Sequence, residues 1–251
     1  MPELQDARYE RVFERTESDP VTWWLSFAIV FVVVVALVGL LYAILGGFLA
    51  PSTPRTLVES QLILLKNAAR TEPNSGKARE AYILALDASG QKDAARKEYD
   101  SAVKQVVGLE RTKVYSAGMT LLLENKDYKG TVTLGTKALA EDEAARKKVI
   151  ADMKQNDALV TDSQFDNTTR IEVLLNLAHA YDLSGDLDAS LKQLNSALAL
   201  DGEAADVLSV RADVYSRLGQ KDKAIADYKK ALQFIPDYAP ALAGLKQLKA
   251  K

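Results

Sequence analysis

Residues 205–238 read ADVLSVRADVYSRLGQKDKAIADYKKALQFIPDY, and this stretch decides the fold. The stretch includes six residues that match, at a spacing of 34, an identical residue earlier in the chain. The pairs are Leu174 and Leu208, Ala178 and Ala212, Tyr181 and Tyr215, Gly185 and Gly219, Ala197 and Ala231, and Leu198 and Leu232. A period of this length in a helix-rich sequence is typical of a repeat that folds as a pair of helices. Such pairs bury their apolar faces only by stacking on their neighbours.

Weaker copies of the unit lie nearer to the N-terminus. The hexapeptide GQKDAA at 90–95 reappears as GQKDKA at 219–224, and in both places a tyrosine and then an alanine follow at equal spacing. Two extra residues at 110–111 and 25 extra residues at 146–170 account for the register between the two copies. The sequence therefore predicts two degenerate units, an insertion and two clear units.

The clear units resemble the tetratricopeptide repeat (TPR), whose pattern combines a Leu-Gly or Leu-Ala step with Tyr, Ala, an aromatic residue and Pro. Unit 205–238 carries the pattern at Leu208, Ala212, Tyr215, Leu218, Gly219, Ala224, Tyr228, Ala231 and Pro236. It departs from the pattern at Arg211, where a leucine is usual. The resemblance implies an all-α fold: a right-handed α-solenoid of about four helix hairpins with a capping helix.

The pattern divides the chain into seven segments. They are an N-terminal arm (1–22), a transmembrane helix (23–49), a linker with the helix that follows it (50–75), two degenerate TPRs (76–145), a helical insertion and loop (146–170), two clear TPRs (171–238) and a capping helix (239–251). We expect the insertion to begin as an extension of the preceding helix and to end in a polar turn.

A membrane span is predicted because residues 20–54 contain no charged side chain. The run WWLSFAIVFVVVVALVGLLYAILGGFL at 23–49 exceeds the roughly 20 apolar residues that cross a bilayer core. Trp23 and Trp24, at the start of the run, favour the membrane–water interface. Pro51 follows the run and prevents the helix from continuing. A cleaved signal peptide would have a shorter apolar core, and a buried globular helix would carry a polar face.

The basic residues around the span predict its orientation. Arg8, Arg11 and Arg15 precede it closely, whereas only Arg55 follows at a comparable distance. The positive-inside rule then places the N-terminus in the cytoplasm and the repeats on the extracytoplasmic side of a cell membrane. In layout the chain is similar to the ancillary TPR subunit of the bacterial secretion translocon, which also has a short arm, one span and exported repeats.

The TPR resemblance implies that the concave surface binds a peptide or helix of a protein partner. The family's groove-facing positions fall on nine residues of this chain: Glu80, Asp87, Glu172, Asn176, His179, Asp206, Ser209, Asp213 and Ser216. Their acidic and polar balance favours a basic or neutral partner segment. The alternative is that they are solvated side chains on exposed helix faces, and His179 is either a groove contact or a polar residue between helices.

Small residues recur every four positions within the predicted span, at Gly39, Ala43 and Gly47. They share one helix face and would allow close approach of a second membrane helix, in a homo- or hetero-oligomer. Glycine and alanine are also common in membrane helices that make no such contact. Two functions therefore stay open: a membrane-anchored TPR scaffold or adaptor, and an accessory subunit of a larger membrane complex held mainly by its transmembrane helix.

Composition argues against other classes of protein. The net charge of −2 does not indicate a nucleic-acid binder. With no cysteine and one histidine, the chain can form neither a thiolate site nor a site that needs two imidazoles. It contains no glycine-rich phosphate loop, HExxH motif or nucleophile elbow. The sequence therefore predicts no enzyme, no cofactor and no metal site.

Overall fold

The computed structural model describes residues 56–156 and 165–249, and the regular secondary structure within these ranges is entirely helical. The described helices are, in chain order, α1 (Leu57–Thr71), α2 (Gly76–Ala88), α3 (Lys92–Gln105), α4 (Leu109–Glu124), α5 (Tyr128–Gln155), α6 (Thr168–Ser184), α7 (Leu187–Leu200), α8 (Ala205–Arg217), α9 (Lys221–Phe234) and α10 (Ala239–Lys249). They belong to one compact unit, residues 54–251. The predicted all-α fold is confirmed for this part of the chain.

The predicted transmembrane helix at 23–49 lies outside the described residues, as do the arm at 1–22 and the stripe of Gly39, Ala43 and Gly47. Within 56–156 and 165–249, no helix combines the length and the apolar character that a membrane crossing needs.

Four helix hairpins make up most of this unit. Each pairs a first helix with the second helix that follows it: α2 with α3, α4 with α5, α6 with α7, and α8 with α9. The first helices of three consecutive hairpins also contact one another, α2 against α4 and α4 against α6. At the ends of the unit, α1 packs on α2, and α10 packs on α8 and α9.

Side-chain caps begin several of these helices. Thr56 and Glu59 form a capping box at the start of α1, in which the Thr56 hydroxyl accepts from the Glu59 amide at 3.1 Å. Asp127 and Asp186 cap α5 and α7 by accepting from amide groups at 2.8 and 3.0 Å. Each cap satisfies an amide that would otherwise lack a partner in the first turn, so these helices begin at defined residues.

A glycine follows the first helix of the third hairpin and of the fourth hairpin. Gly185 and Gly219 have φ angles of 90° and 74°, which a residue without a Cβ adopts at no steric cost. Both residues lie in the left-handed region that commonly ends a helix. In the second hairpin Lys126 takes this conformation, with φ of 60°. A lysine incurs a steric penalty in this conformation. The second degenerate repeat, residues 112–145, thus lacks the glycine that the clear repeats have at this turn.

Tyrosines of the second helices fill the space between hairpins by packing on glycines. The ring of Tyr99 in α3 lies against Gly118 of α4, and the ring of Tyr228 in α9 lies against Gly244 of α10. A Cβ atom on either glycine would overlap with the facing ring. Tyr228 is almost fully buried in the last core cluster, among alanines such as Ala212. Small residues thus let the helices approach closely, and the tyrosines fill what remains.

Arg211, the departure from the repeat pattern, joins three helices. Its guanidinium donates to both carboxylate oxygens of Asp227 in α9, at 2.7 and 2.8 Å, and to Asn195 of α7 at 2.7 Å. In the second hairpin Arg111 of α4 donates a single hydrogen bond to Glu141 of α5, at 3.1 Å. Both bonds are charge-assisted contacts between the two helices of a hairpin, and that of Arg211 stands where the repeat pattern has a leucine.

The inserted residues begin as a continuation of α5, which is 28 residues long and therefore about 42 Å. Asp142, 3% exposed, accepts from Arg146 at 2.8 Å and from Arg170 of α6 at 3.3 Å. Arg146 also donates to Asn167 at 3.0 Å and stacks over the ring of Phe165. These contacts connect the long helix to the start of the third hairpin.

Candidate functional site

The first helices of three hairpins line one groove, with a cavity of about 440 Å³. We call it the first-helix groove. Its lining residues are Lys77, Glu80, Ala81 and Leu84 of α2, Ser116 and Thr120 of α4, and Glu172, Leu175 and Asn176 of α6. Glu80 and Glu172 are 92 positions apart in the sequence, on opposite sides of the insertion. The contacts of α4 with both α2 and α6 bring them onto the same surface.

The groove combines apolar and polar walls. Leu84 and Leu175 are partly buried and leave part of each side chain open to the cavity. The hydroxyl groups of Ser116 and Thr120 lie between the two carboxylates in chain order, on the intervening helix α4. A segment of polypeptide would find apolar contact, hydrogen-bonding groups and negative charge in one place, which is the composition usual for a binding pocket.

Two carboxyl groups in the groove have raised pKa values. Burial raises the pKa of Glu80 to about 7, and the negative charges of Glu172 and Glu110 add to the shift, while Lys113 opposes it. The pKa of Glu172 is also raised, first by burial and then by Asp166 and Asp206. Both shifts have the cause expected for carboxylates that lose water and face like charges. Near neutral pH the groove therefore holds an acidic group that is only partly ionised.

Besides Lys77, which lines the groove, one further cation, Lys113, acts on both Glu80 and Glu172, and it is already paired. Lys113 donates to Glu110 at 2.7 Å, and Glu110 also accepts from the amide of Gly76 at 2.8 Å. Although burial opposes them, these bonds give Glu110 a net lowering of its pKa, so it is ionised at neutral pH. Glu80 and Glu172 are left beside a cation whose charge another carboxylate already offsets.

Further predicted positions extend this acidic surface toward α8. The charge of Asp206 acts on Glu172, and the charge of Asp213 acts on His179. Burial lowers the pKa of His179, and Asp182 and Asp213 only partly oppose this, so the ring is mainly neutral at pH 7. Asp213 accepts a hydrogen bond from the Tyr228 hydroxyl, so it also stabilises the last hairpin.

The structure places three other predicted residues apart from the groove cavity. Ser209 is 2% exposed and its hydroxyl has no hydrogen-bond partner among the described residues, so it is not accessible to a partner. Asp87 is 8% exposed and lines a different cleft, between the first two hairpins, together with Tyr99. It faces Glu124, whose pKa it raises. Ser216 is partly buried near the end of α8.

The contribution of α4 to the groove was not predicted, because the second degenerate repeat, residues 112–145, matches the repeat pattern poorly. The repeat register of the sequence nevertheless identifies the groove positions of α4. When the two extra residues at 110–111 are added to the period of 34, the positions equivalent to Glu80 and Leu84 are Ser116 and Thr120. Both lie in the groove.

Taken together, the stacked hairpins and the groove along their first helices define a helical-repeat protein with a surface for binding other proteins. Two family models, both described as tetratricopeptide repeat, match residues 171–203 and 205–238. Residues 171–238 therefore carry two tetratricopeptide repeats, and the resemblance seen in this part of the sequence is confirmed. No curated protein sequence matches the chain.

Solved structures show the same fold at low sequence identity. A thermophilic TPR protein of Thermus thermophilus is 18% identical, with a TM-score of 0.54, over 77% of this chain and 91% of its own. PilF of Pseudomonas aeruginosa is 16% identical, with a TM-score of 0.51, over 85% of this chain and 88% of its own. The predicted TPR-type α-solenoid is thus confirmed.

Proposed function

We propose that this chain is a membrane-anchored, non-catalytic scaffold or adaptor that binds a protein segment in its first-helix groove. One observation carries the proposal: three hairpins assemble a single groove in which Glu80 and Glu172 lie beside the apolar side chains of Leu84 and Leu175. TPR domains bind protein partners through such surfaces. The acidic side chains of the groove are arranged along helices and form no catalytic constellation among the described residues.

The partner segment is basic or neutral, with at least one apolar side chain. A lysine or arginine of the partner would lie between Glu80 and Glu172, where it would offset two carboxylates that repel each other. An adjacent apolar residue would contact Leu84 and Leu175. An acidic segment would add to the existing repulsion and would bind weakly.

Fluorescence anisotropy with synthetic peptides tests this proposal on the full chain in detergent. Peptides of about 12 residues suit a groove that spans three helices. We expect basic–apolar peptides to bind, and the double variant E80Q/E172Q to weaken binding by roughly tenfold. The matched control is E143Q/D188N, which removes two exposed carboxylates elsewhere. Equal binding of acidic and basic peptides would contradict the partner chemistry, and equal loss in both double variants would contradict the groove.

The anchor is the run at 23–49, and we propose that it spans a cell membrane once, with the repeats on the extracytoplasmic side. Its support is the charge-free sequence from 20 to 54 and the arginines that precede it. Protease added to right-side-out vesicles should then digest the repeats. Protection of the repeats would overturn the orientation, and release of the chain by alkaline carbonate would overturn the span.

The second candidate function, an accessory subunit held by its span, is favoured by the stripe of Gly39, Ala43 and Gly47. A detergent pull-down with the full chain and with a chain that begins at Pro51 separates the two. Retention of partners by the shorter chain supports the groove. Loss of all partners with the span supports the subunit.

A further inference from the structure

The helix α1 exposes apolar side chains that no described residue covers. Leu57 is 76% exposed, Leu64 is 70% exposed and Val58 is 57% exposed. Leu57 and Leu64 are seven residues apart, which is close to two helical turns, so they lie on one stripe of the helix. Leucines this exposed on one stripe of a helix indicate a surface that a membrane or another protein covers.

The opposite side of α1 is the one that packs on the hairpins. Ala69 is buried, and Leu62 is partly buried in the core cluster of the first hairpin. At 100° per residue, Leu62 and Ala69 lie about 140° around the helix from the stripe of Leu57 and Leu64. In the four hairpins each second helix is covered by its first helix, whereas the main packing partner of α1 among the described helices is α2.

We infer that the Leu57–Leu64 face of α1 lies on the lipid surface of the membrane, and so orients the first hairpin against the bilayer. The inference rests on the proposed span at 23–49. The capping box of Thr56 and Glu59 begins α1 at Leu57, so seven residues, 50–56, connect the two. Fully extended, they reach at most about 25 Å. The stripe is therefore held close to the headgroups at a high effective concentration.

The charge near α1 supports a lipid surface as the occupant. Residues 55–70 carry three basic side chains, Arg55, Lys66 and Arg70, and one acidic side chain, Glu59. An extracytoplasmic leaflet that contains anionic lipid would attract such a segment and would repel the acidic first-helix groove. A helix with exposed leucines on one side and basic residues on the other is the type that lies in the membrane interface.

The absence of native cysteine allows a direct test on the full chain. In separate samples, Leu64→Cys and Lys66→Cys carry an environment-sensitive dye, and the chain is reconstituted in vesicles of phosphatidylcholine and phosphatidylglycerol. Lys66 is exposed and lies about 160° around the same helix from Leu64, so it is the matched control. Iodide in the water and nitroxide-labelled lipid in the bilayer serve as the two quenchers.

We expect iodide to quench the dye at position 64 roughly fivefold less than the dye at 66, and nitroxide lipid to quench it more strongly. Equal iodide quenching at both positions would overturn the inference. Shielding from iodide without lipid quenching would also overturn it, because a second copy or a protein partner would then cover the face. Flotation of the same vesicles tests the span separately: a chain that fails to float refutes the anchor, whereas a floating chain with a water-exposed position 64 refutes only the role of α1.

Discussion

At the scale of single residues, the groove depends on a partly buried carboxyl group, that of Glu80, beside the carboxyl group of Glu172. Burial and the neighbouring charge raise the pKa of Glu80 to about 7, so its ionisation changes within the physiological range. The folded protein is less stable when the Glu80 carboxyl group is charged. Groups with such perturbed pKa values are common at functional sites.

The raised pKa of Glu80 predicts that acidification stabilises the repeat domain. The folded protein holds this proton more tightly than the unfolded chain, whose glutamates titrate near 4.5. The contribution of Glu80 to the free energy of unfolding should therefore be largest below that value and fall as pH rises to about 7, by on the order of 1 kcal/mol after screening by solvent. Urea unfolding at pH 5 and pH 8 measures the change.

Glu80→Gln should remove most of this pH dependence, whereas Asp188→Asn, which removes an exposed carboxylate on α7, should leave it in place. An unchanged slope in the Glu80 variant would show that another group causes it.

The packing of tyrosine on glycine gives a second prediction at the residue scale. In Gly118→Ala the new Cβ would overlap with the ring of Tyr99, so we expect a loss of about 1–3 kcal/mol in the free energy of unfolding, despite the better helix propensity of alanine. Gly202→Ala is the control, because its Cβ would meet only the Leu198 carbonyl oxygen, at 3.7 Å. Equal unfolding midpoints for the two variants would contradict the close approach of α3 and α4.

At the scale of helices, the Arg211–Asp227 pair holds the two helices of the last hairpin together where the repeat pattern has lost an apolar contact. The guanidinium of Arg211 is mostly buried, and so is the carboxylate of Asp227. A buried pair of this kind is strongly coupled: removing one member leaves the other without a counter-charge.

Arg211→Leu restores the residue that is usual in the family, yet we expect it to destabilise the last hairpin by about 1–3 kcal/mol, because Asp227 would remain buried and unpaired. The double variant R211L/D227L should recover most of that loss. Thermal unfolding of the two variants and the original chain measures the difference. A single variant as stable as the original would mean that the pair contributes nothing, and a double variant no better than the single one would mean that the loss has another cause.

At the scale of the whole molecule, the groove is a property of three stacked hairpins and not of any one repeat. Glu80 comes from a degenerate repeat and Glu172 from a clear one, and the insertion separates them in the chain. The contacts of Asp142 with Arg170 and of Arg146 with Asn167 connect the extended helix α5 to the start of the third hairpin.

Binding of a basic peptide should therefore become tighter as pH rises, because Glu80 gains its charge near pH 7. Between pH 6 and pH 8 we expect the dissociation constant to fall by about three- to tenfold. Anisotropy titrations of the full chain measure it, and E80Q should show a flat profile. A peptide whose affinity falls with pH in the original chain would contradict the proposed contact.

Much of the fold follows from local sequence signals. The spacing of 34 residues, the glycines at 185 and 219, and the alanines at helix crossings predict hairpins that stack, and these features act within one repeat and its nearest neighbour. The helical continuation into the insertion was also predicted. Arg211 was seen as a departure, but its partners Asp227 and Asn195 were not, because they lie on other helices.

The sequence by itself determined that this chain is built of TPR hairpins and carries an uncharged apolar run ahead of them, because periodicity and turn residues are written locally along the chain. Only the tertiary structure decided which polar side chains share a surface. It brought Glu80 and Glu172 together through α4, added Ser116 and Thr120, and buried Ser209. The physical reason is that a helix position alone gives the direction of a side chain, whereas its exposure and its pKa depend on which helices pack around it.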